Sequence, residues 1–189
     1  MLDKLEQIDI ELLLFLNNLG SESWDGFWMF MTTSVTSVPI YLVAVYFIYK
    51  FLGLRNMLFA LLFIGIIITI SDQTSNLFKY GFERLRPCHN SDVQDLIRLV
   101  KPKCGGKYSF FSAHASTSMA IVVFLSMLLR KHLRFFPVLL IIWSFLVGYS
   151  RIYIGVHFPF DVLVGFSFGA MLSLIMSVVY YKYIFREKT

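Results

Sequence analysis

The chain has 189 residues, 57% hydrophobic, 17% aromatic and only 15% charged, and its mean hydropathy is +0.68. A water-soluble domain spends roughly a quarter of its residues on charge, so soluble, disordered and collagen-like readings are excluded, and 22.0 kDa leaves room for a single membrane domain over 1–189. The net charge of +5 lies in loops between apolar runs rather than on one solvated face, which suits anionic lipid or phosphate and not nucleic acid.

The amino terminus is acidic and lacks a basic region followed by a small-residue cleavage site, so it reads as mature protein. Leu5, Ile8, Leu12, Phe15 and Leu16 recur at helical spacing with Glu6 and Asp9 off that stripe. This predicts an amphipathic interfacial helix within residues 1–22, too short and too charged to span. Trp24 and Trp28 follow at a level suited to an aromatic belt. A first span is expected from about Phe27 to Tyr49, closed by Lys50 and Arg55, and a second from about Met57 to Phe78. The last third of the second carries Ser71, Asp72, Gln73, Thr74, Ser75 and Asn76, an end unsuited to lipid.

Residues 79–111 form the one long polar stretch and are expected to be an extramembrane active-site loop. A third span starts near Ser112 and stops at Arg130, a fourth covers Phe135 to Tyr149, and a fifth runs from Pro159 to near Lys182. The fold class is therefore all-α: a polytopic membrane helix bundle of about five transmembrane helices plus the interfacial helix. If spans alternate, the polar ends of the second to fifth meet on one face. Gly165 and Gly169 within the fifth predict a close helix approach, inside the molecule rather than between copies.

On that shared face the chain reads Lys79, six residues, Arg86-Pro87; then Phe111-Ser112-Ala113-His114; then Ser150-Arg151, five residues, His157, three residues, Asp161. In this order and at these helix ends, the pieces resemble the three-part signature of the type 2 phosphatidic acid phosphatase (PAP2) family, K-x6-RP, PSGH and SR-x5-H-x3-D. The first and third parts match throughout. The middle part matches at Ser112 and His114 and departs at Phe111 and Ala113, where the family has Pro and Gly.

The residue types account for phosphate chemistry on their own terms. Lys79, Arg86 and Arg151 bring three cations to one place, enough to hold a phosphate dianion and the charge that develops during transfer. Ser112 to His114 open a helix whose free N–H groups favour an anion. His157 precedes a helix starting at Pro159, and Asp161 in its first turn can orient and activate that imidazole as a nucleophile. His114 is left to protonate the leaving alkoxide and later deprotonate water. The resemblance implies the same roles: His157 nucleophile, Asp161 its partner, His114 acid and base, and Lys79, Arg86, Ser112 and Arg151 binding phosphate, with no metal and no cofactor.

The expected activity is hydrolysis of a lipid-linked phosphate monoester or diphosphate through a phosphohistidine. Undecaprenyl diphosphate, phosphatidylglycerophosphate, phosphatidic acid and lipid A phosphate are the candidate substrates. The alternatives are a phosphotransferase with a non-water acceptor and a non-catalytic lipid-binding membrane protein; the expected partners are membrane lipids and the lipid phosphate itself.

Cys88 and Cys104 bracket the polar loop. A zinc site would need His89 and a fourth ligand, and a disulfide is preferred if the loop faces an oxidising compartment. By the positive-inside rule Lys50, Arg55, Arg130, Lys131, Arg134, Lys182, Arg186 and Lys188, set against Glu187, would make the opposite face cytoplasmic, but the site face holds the other nine of the 17, so raw counting does not decide. With Lys79, Arg86 and Arg151 set aside, the site face keeps six cations against these eight. Together with the resemblance, this places the protein in a bacterial inner membrane with the site on its outer face.

Overall fold

A computed structural model of the protein describes residues 2–185; Arg186, Glu187 and Lys188, counted above, lie outside them. Six α-helices follow one another: α1 (Leu2–Asn18), α2 (Glu22–Thr32), α3 (Val38–Phe82), α4 (Ala113–Leu129), α5 (Phe136–Tyr153) and α6 (Pro159–Tyr183). Among the described residues no strand forms, and the only bridge pairs Leu85 with Tyr108. The 45 residues of α3 comprise two arms, because Gly53 inside it takes φ 86° and ψ 168°. That break falls between Lys50 and Arg55, where the sequence separates the first two spans. Three helical stretches among the described residues, Ser34–Phe82, Phe136–Tyr153 and Pro159–Tyr183, are long and apolar enough to cross a membrane, and Ala113–Leu129 is a shorter apolar helix; the first is two arms joined at Gly53.

Helix α4 occupies the centre, packed by α3, α5 and α6. Apolar and small side chains lie all round it, as suits a helix packed on several sides, and Ala115, Ala120, Val122, Phe124 and Leu129 are fully buried. Its seam with α6 depends on two glycines: a Cβ at Gly165 would stand 2.7 Å from the Ser112 carbonyl oxygen, and one at Gly169 2.2 Å from that of Ser116. The glycine pair thus packs within the molecule, as expected. Hydroxyls fasten the other seams, Ser71 to Ser116 at 2.6 Å and Ser118 to Ser144 at 3.0 Å.

Two boundaries differ from the sequence reading, and one polar segment is resolved more finely than it. The first span does not begin at Phe27: α2 stops at Thr32, a 3-10 turn covers Ser34–Ser37, and the membrane arm starts at Val38. Pro39 causes this, since it lacks an N–H and its ring excludes the preceding helical turn, so it is accommodated only in a first turn. The fourth span does not end at Tyr149 but runs to Tyr153, carrying Ser150 and Arg151 inside the helix, until Gly155 at φ 78° turns the chain away. The polar end of the second span divides, with Ser71 and Ser75 fully buried and Asp72 and Gln73 exposed.

Helix α1 is amphipathic as expected, but the face it turns to the bundle is Asp9, Leu13 and Asn17, all fully buried. The apolar stripe, Leu5, Ile8, Leu12 and Phe15, is exposed on the outside, where a membrane interface would cover it. Polar residues can face inward because they find partners. The Asn17 amide donates to the carbonyls of Arg98, Ile152 and Tyr153 and accepts from the Arg98 N–H.

Candidate active site

The site is assembled where helix ends meet. Lys79 lies in the last turn of α3, so the loop proper begins at Glu83, a left-handed residue (φ 50°) that reverses the chain. The loop closes on itself through the Leu85–Tyr108 bridge and an Arg86 N–H bond to the Lys107 carbonyl at 3.0 Å. Arg86 is then aimed by its own surroundings: its Nε donates to the Tyr108 carbonyl at 3.2 Å and its Nη1 to the Cys104 carbonyl at 3.0 Å. Burial works against the Arg86 charge and Asp161 supports it. Gly105, at φ 95°, lets the loop pass beside this guanidinium, since a Cβ there would come within 3.3 Å of Nη1.

Ser112 caps α4, its hydroxyl accepting from the Ala115 N–H at 3.5 Å, and its own N–H donates to the Asp161 carbonyl at 3.0 Å. That backbone bond stitches the start of α4 to the start of α6. His114, partly exposed in the first turn of α4, is coupled electrostatically to Arg151, His157 and Lys79. Arg151 is buried in the last turn of α5, with Nη1 donating to the Thr32 hydroxyl. Its Nε is buried without a partner among the described residues. An unpaired donor on a buried guanidinium is costly, and an anion beside it would satisfy it.

His157, 2% exposed, sits in the turn between α5 and α6, with Nδ1 3.4 Å from Asp161 Oδ2. The same oxygen accepts the Phe158 N–H at 3.0 Å, closing the first turn of α6. The backbone of Ser109 also lies within hydrogen-bonding reach of the imidazole. Burial pushes the His157 pKa well below its ordinary value, and Arg151, Arg86 and Lys79 push it the same way. The ring is thus held neutral, and with Nδ1 turned to a carboxylate, the lone pair belongs on Nε2.

All seven residues singled out from the sequence come together, as the couplings of Lys79 to Arg86, Arg151 and Asp161 and of Arg151 to Arg86 complete the set. Two of the surroundings were not anticipated. Thr32, from a helix assigned to no motif, orients Arg151. Arg84, which lies inside the Lys79–Arg86 interval, donates to Asp161 Oδ1 at 3.0 Å. The sequence signal for the second was an arginine among the unspecified positions of a cationic motif.

An apolar groove of about 520 Å³ lies between the first arm of α3, its second arm and α4, with His114 in its lining beside Val38, Tyr41, Leu42, Leu61, Ile64 and Ile68. Asp72 also lines it and is coupled electrostatically to Lys79. On the other side of the site, Cys88 and Cys104 meet with Cα atoms 6.2 Å apart, a separation that suits a disulfide. His89 lies within 4.8 Å of their sulfurs.

The chain resembles proteins already characterised. It is 34% identical over 171 residues to a lipid A 4'-phosphatase of Bacteroides thetaiotaomicron, covering 89% of this chain and 75% of the relative. It is 32% identical over 177 residues to a lipid A 4'-phosphatase of Porphyromonas gingivalis, covering 92% and 73%. Its fold matches the crystal structure of a transmembrane PAP2-type phosphatidylglycerolphosphate phosphatase from Bacillus subtilis with a TM-score of 0.73, at 23% identity, over 95% of this chain and 88% of that one. Residues 53–185 match the PAP2 superfamily model, a stretch that holds both arms' junction, the loop and every helix of the bundle beyond it, and the chain belongs to that superfamily.

Proposed function

We propose that this chain is a lipid phosphate phosphatase that hydrolyses a phosphate monoester on a glycolipid headgroup of the lipid A kind. The observation that carries the reading is the apolar groove that includes His114 in its lining, a residue coupled to Arg151, His157 and Lys79 of the cation cluster. A groove lined with aliphatic residues accommodates acyl chain, and the cations accommodate the phosphate at its end. The two relatives named above, matched over most of their length, favour the glycolipid over the other lipid phosphates.

In this reading Lys79, Arg86 and Arg151 hold the phosphate oxygens, with the Arg151 Nε and the first-turn amides of α4 completing the cradle. His157 Nε2 attacks phosphorus in line, the P–O bond to the headgroup breaks, and His114 gives its proton to the departing alkoxide. Asp161 holds the Nδ1 proton and stabilises the positive ring of the phosphohistidine. Water then attacks phosphorus, His114 takes a proton from it, and inorganic phosphate leaves with His157 restored. Three fixed cations supply the charge that a metal ion would otherwise supply, so the reaction proceeds without one.

The chain acts as one domain, with residues 83–111 roofing the site and α1 lying in the interface. It sits in a bacterial inner membrane with the site outward, an orientation supported by the six cations left on the site face, once the three assigned to phosphate are set aside, against eight on the other, and by the Cys88–Cys104 pairing, which an oxidising compartment favours. The test is phosphate release by purified protein in detergent from a panel of lipid A, phosphatidylglycerophosphate, phosphatidic acid and a polyprenyl diphosphate, with EDTA present. Fastest release from lipid A is expected; a preference for any other member overturns the substrate, and activity only on adding a divalent cation overturns the mechanism.

A further inference from the structure

Arg84 is engaged on three sides. Its Nη1 donates to Asp161 Oδ1 at 3.0 Å, its Nη2 to Asp9 Oδ2 at 2.8 Å, and its guanidinium carbon stands 4.0 Å from the centre of the Phe158 ring. Asp9 belongs to α1 and is fully buried; its second oxygen accepts the Phe160 N–H at 2.9 Å. A continuous line of contacts therefore runs from α1 through Asp9 and Arg84 to Asp161 and on to His157 Nδ1. With both Nη groups committed to carboxylates and one face on an aromatic ring, Arg84 is poorly placed to bind phosphate, unlike Arg151 with its unpaired Nε.

We propose that Arg84 and Asp9 are positioning residues for the reaction, fixing the Asp161 carboxylate against His157, so that the interfacial helix α1 is part of the catalytic apparatus and not only a membrane anchor. This rests on the reading of His157 as nucleophile. Asp161 Oδ2 is shared by the Phe158 N–H and the imidazole, so its angle to the ring depends on what else holds the carboxylate: Arg84 Nη1 donates to Oδ1 at 3.0 Å, and the Ser109 side chain lies within hydrogen-bonding reach of the same group. Arg84 alone could follow Asp161 into another rotamer. Asp9, fixed by the Phe160 backbone and by the rest of α1, gives it a second attachment point and counters its charge. Two carboxylates sharing one guanidinium is a buried arrangement in which loss of any member leaves an uncompensated charge. That part of the effect is structural, and the test must separate it.

Asn17 supplies the control. It fastens the same helix to α5 and the loop through four hydrogen bonds without touching Asp161. Asp9→Asn, Arg84→Gln, Arg84→Lys and Asn17→Ala would be purified in detergent and compared for thermal midpoint, for kcat and KM on lipid A, and for the rate of phosphoenzyme formation after rapid quench. Asp9→Asn should lower kcat roughly tenfold and Arg84→Gln nearer a hundredfold, the scale of a small misplacement of a reacting group. KM should stay within about twofold, since uniform binding is untouched. Phosphoenzyme formation should slow by the same factors, and Arg84→Lys should recover part of the loss. Asn17→Ala should lower the midpoint and leave kcat of the folded protein unchanged. Should Arg84→Gln fail to fold, Asp9→Asn and Arg84→Lys carry the same comparison. Midpoints that fall in all variants with kcat unaltered would overturn the proposal and reduce the network to an anchor. Absence of any phosphoenzyme in the unaltered protein would instead strike the underlying reading of His157.

Discussion

A Cβ on Gly169 would lie 2.2 Å from the carbonyl oxygen of Ser116, so α6 and α4 touch backbone to backbone one turn below the point where the Ser112 N–H meets the Asp161 carbonyl. The helix starts that carry Ser112, His114 and Asp161 are held together by this seam. Gly169→Val must push the helices apart, at a cost of about 1–3 kcal/mol typical of overpacking. It should lower both the thermal midpoint and the activity. Gly26→Ala, where a Cβ meets nothing within 4 Å, should change neither. Equal behaviour of the two variants in a detergent melt would show that the seam is not tight.

Arg151 is predicted to bind the phosphate through a fork that lysine cannot reproduce. Hydrogen bonds to charged groups contribute about 1.5–3 kcal/mol each, so Arg151→Lys should weaken inhibition by orthovanadate about tenfold or more. The same substitution abandons the Thr32 hydroxyl, and Thr32→Val should therefore move the inhibition constant in the same direction by a smaller factor. Unaltered vanadate inhibition in Arg151→Lys would remove Arg151 from the phosphate site.

His157 should stay neutral well into acid. Burial and three neighbouring cations depress its pKa in the fold, whereas in the unfolded chain it titrates near about 6.5. The sign follows from linkage: below about 6.5 the unfolded state binds the extra proton and the folded state does not, so stability contributed by this group falls as pH falls. Nitrogen-15 spectra of histidine-labelled protein should show neutral-imidazole shifts for His157 down to pH about 5.5; a titration centred near 6.5 would mean that the cations do not face the ring.

The Cys88–Cys104 pairing bears on Arg86 directly, since the Cys104 carbonyl accepts from Arg86 Nη1. A bridge closing this loop is worth roughly 3 kcal/mol by chain entropy. The double variant Cys88→Ser/Cys104→Ser should melt lower and bind phosphate substrates more weakly. In intact cells, a membrane-impermeant maleimide should label the two cysteines only after mild reduction. Labelling that needs lysis would put the site in the cytoplasm.

The helical membrane fold and the convergence of Lys79, Arg86, Ser112, His114, Arg151, His157 and Asp161 on one region were legible in the sequence because hydropathy and motif spacing are local along the chain. The break at Thr33–Ser37 was passed over because its residues carry no charge and their hydroxyls can bond neighbouring backbone inside a span. Asp9 was read only as lying off the apolar stripe, because a pattern of polarity cannot say that Arg84 from another segment waits to pair with it. Thr32 and Ser109 are visible only in three dimensions for the same reason: their roles come from what α5 and α6 bring to them.

The central claim is that phosphate passes through His157. Brief reaction of the purified protein with lipid A carrying labelled phosphate, quenched in alkali, followed by digestion and mass analysis, tests it most directly. The account predicts an alkali-stable, acid-labile phosphate on the peptide containing His157, formed with EDTA present and absent from His157→Ala, which should fold but not turn over. Phosphate release by His157→Ala at the rate of the unaltered protein would contradict it.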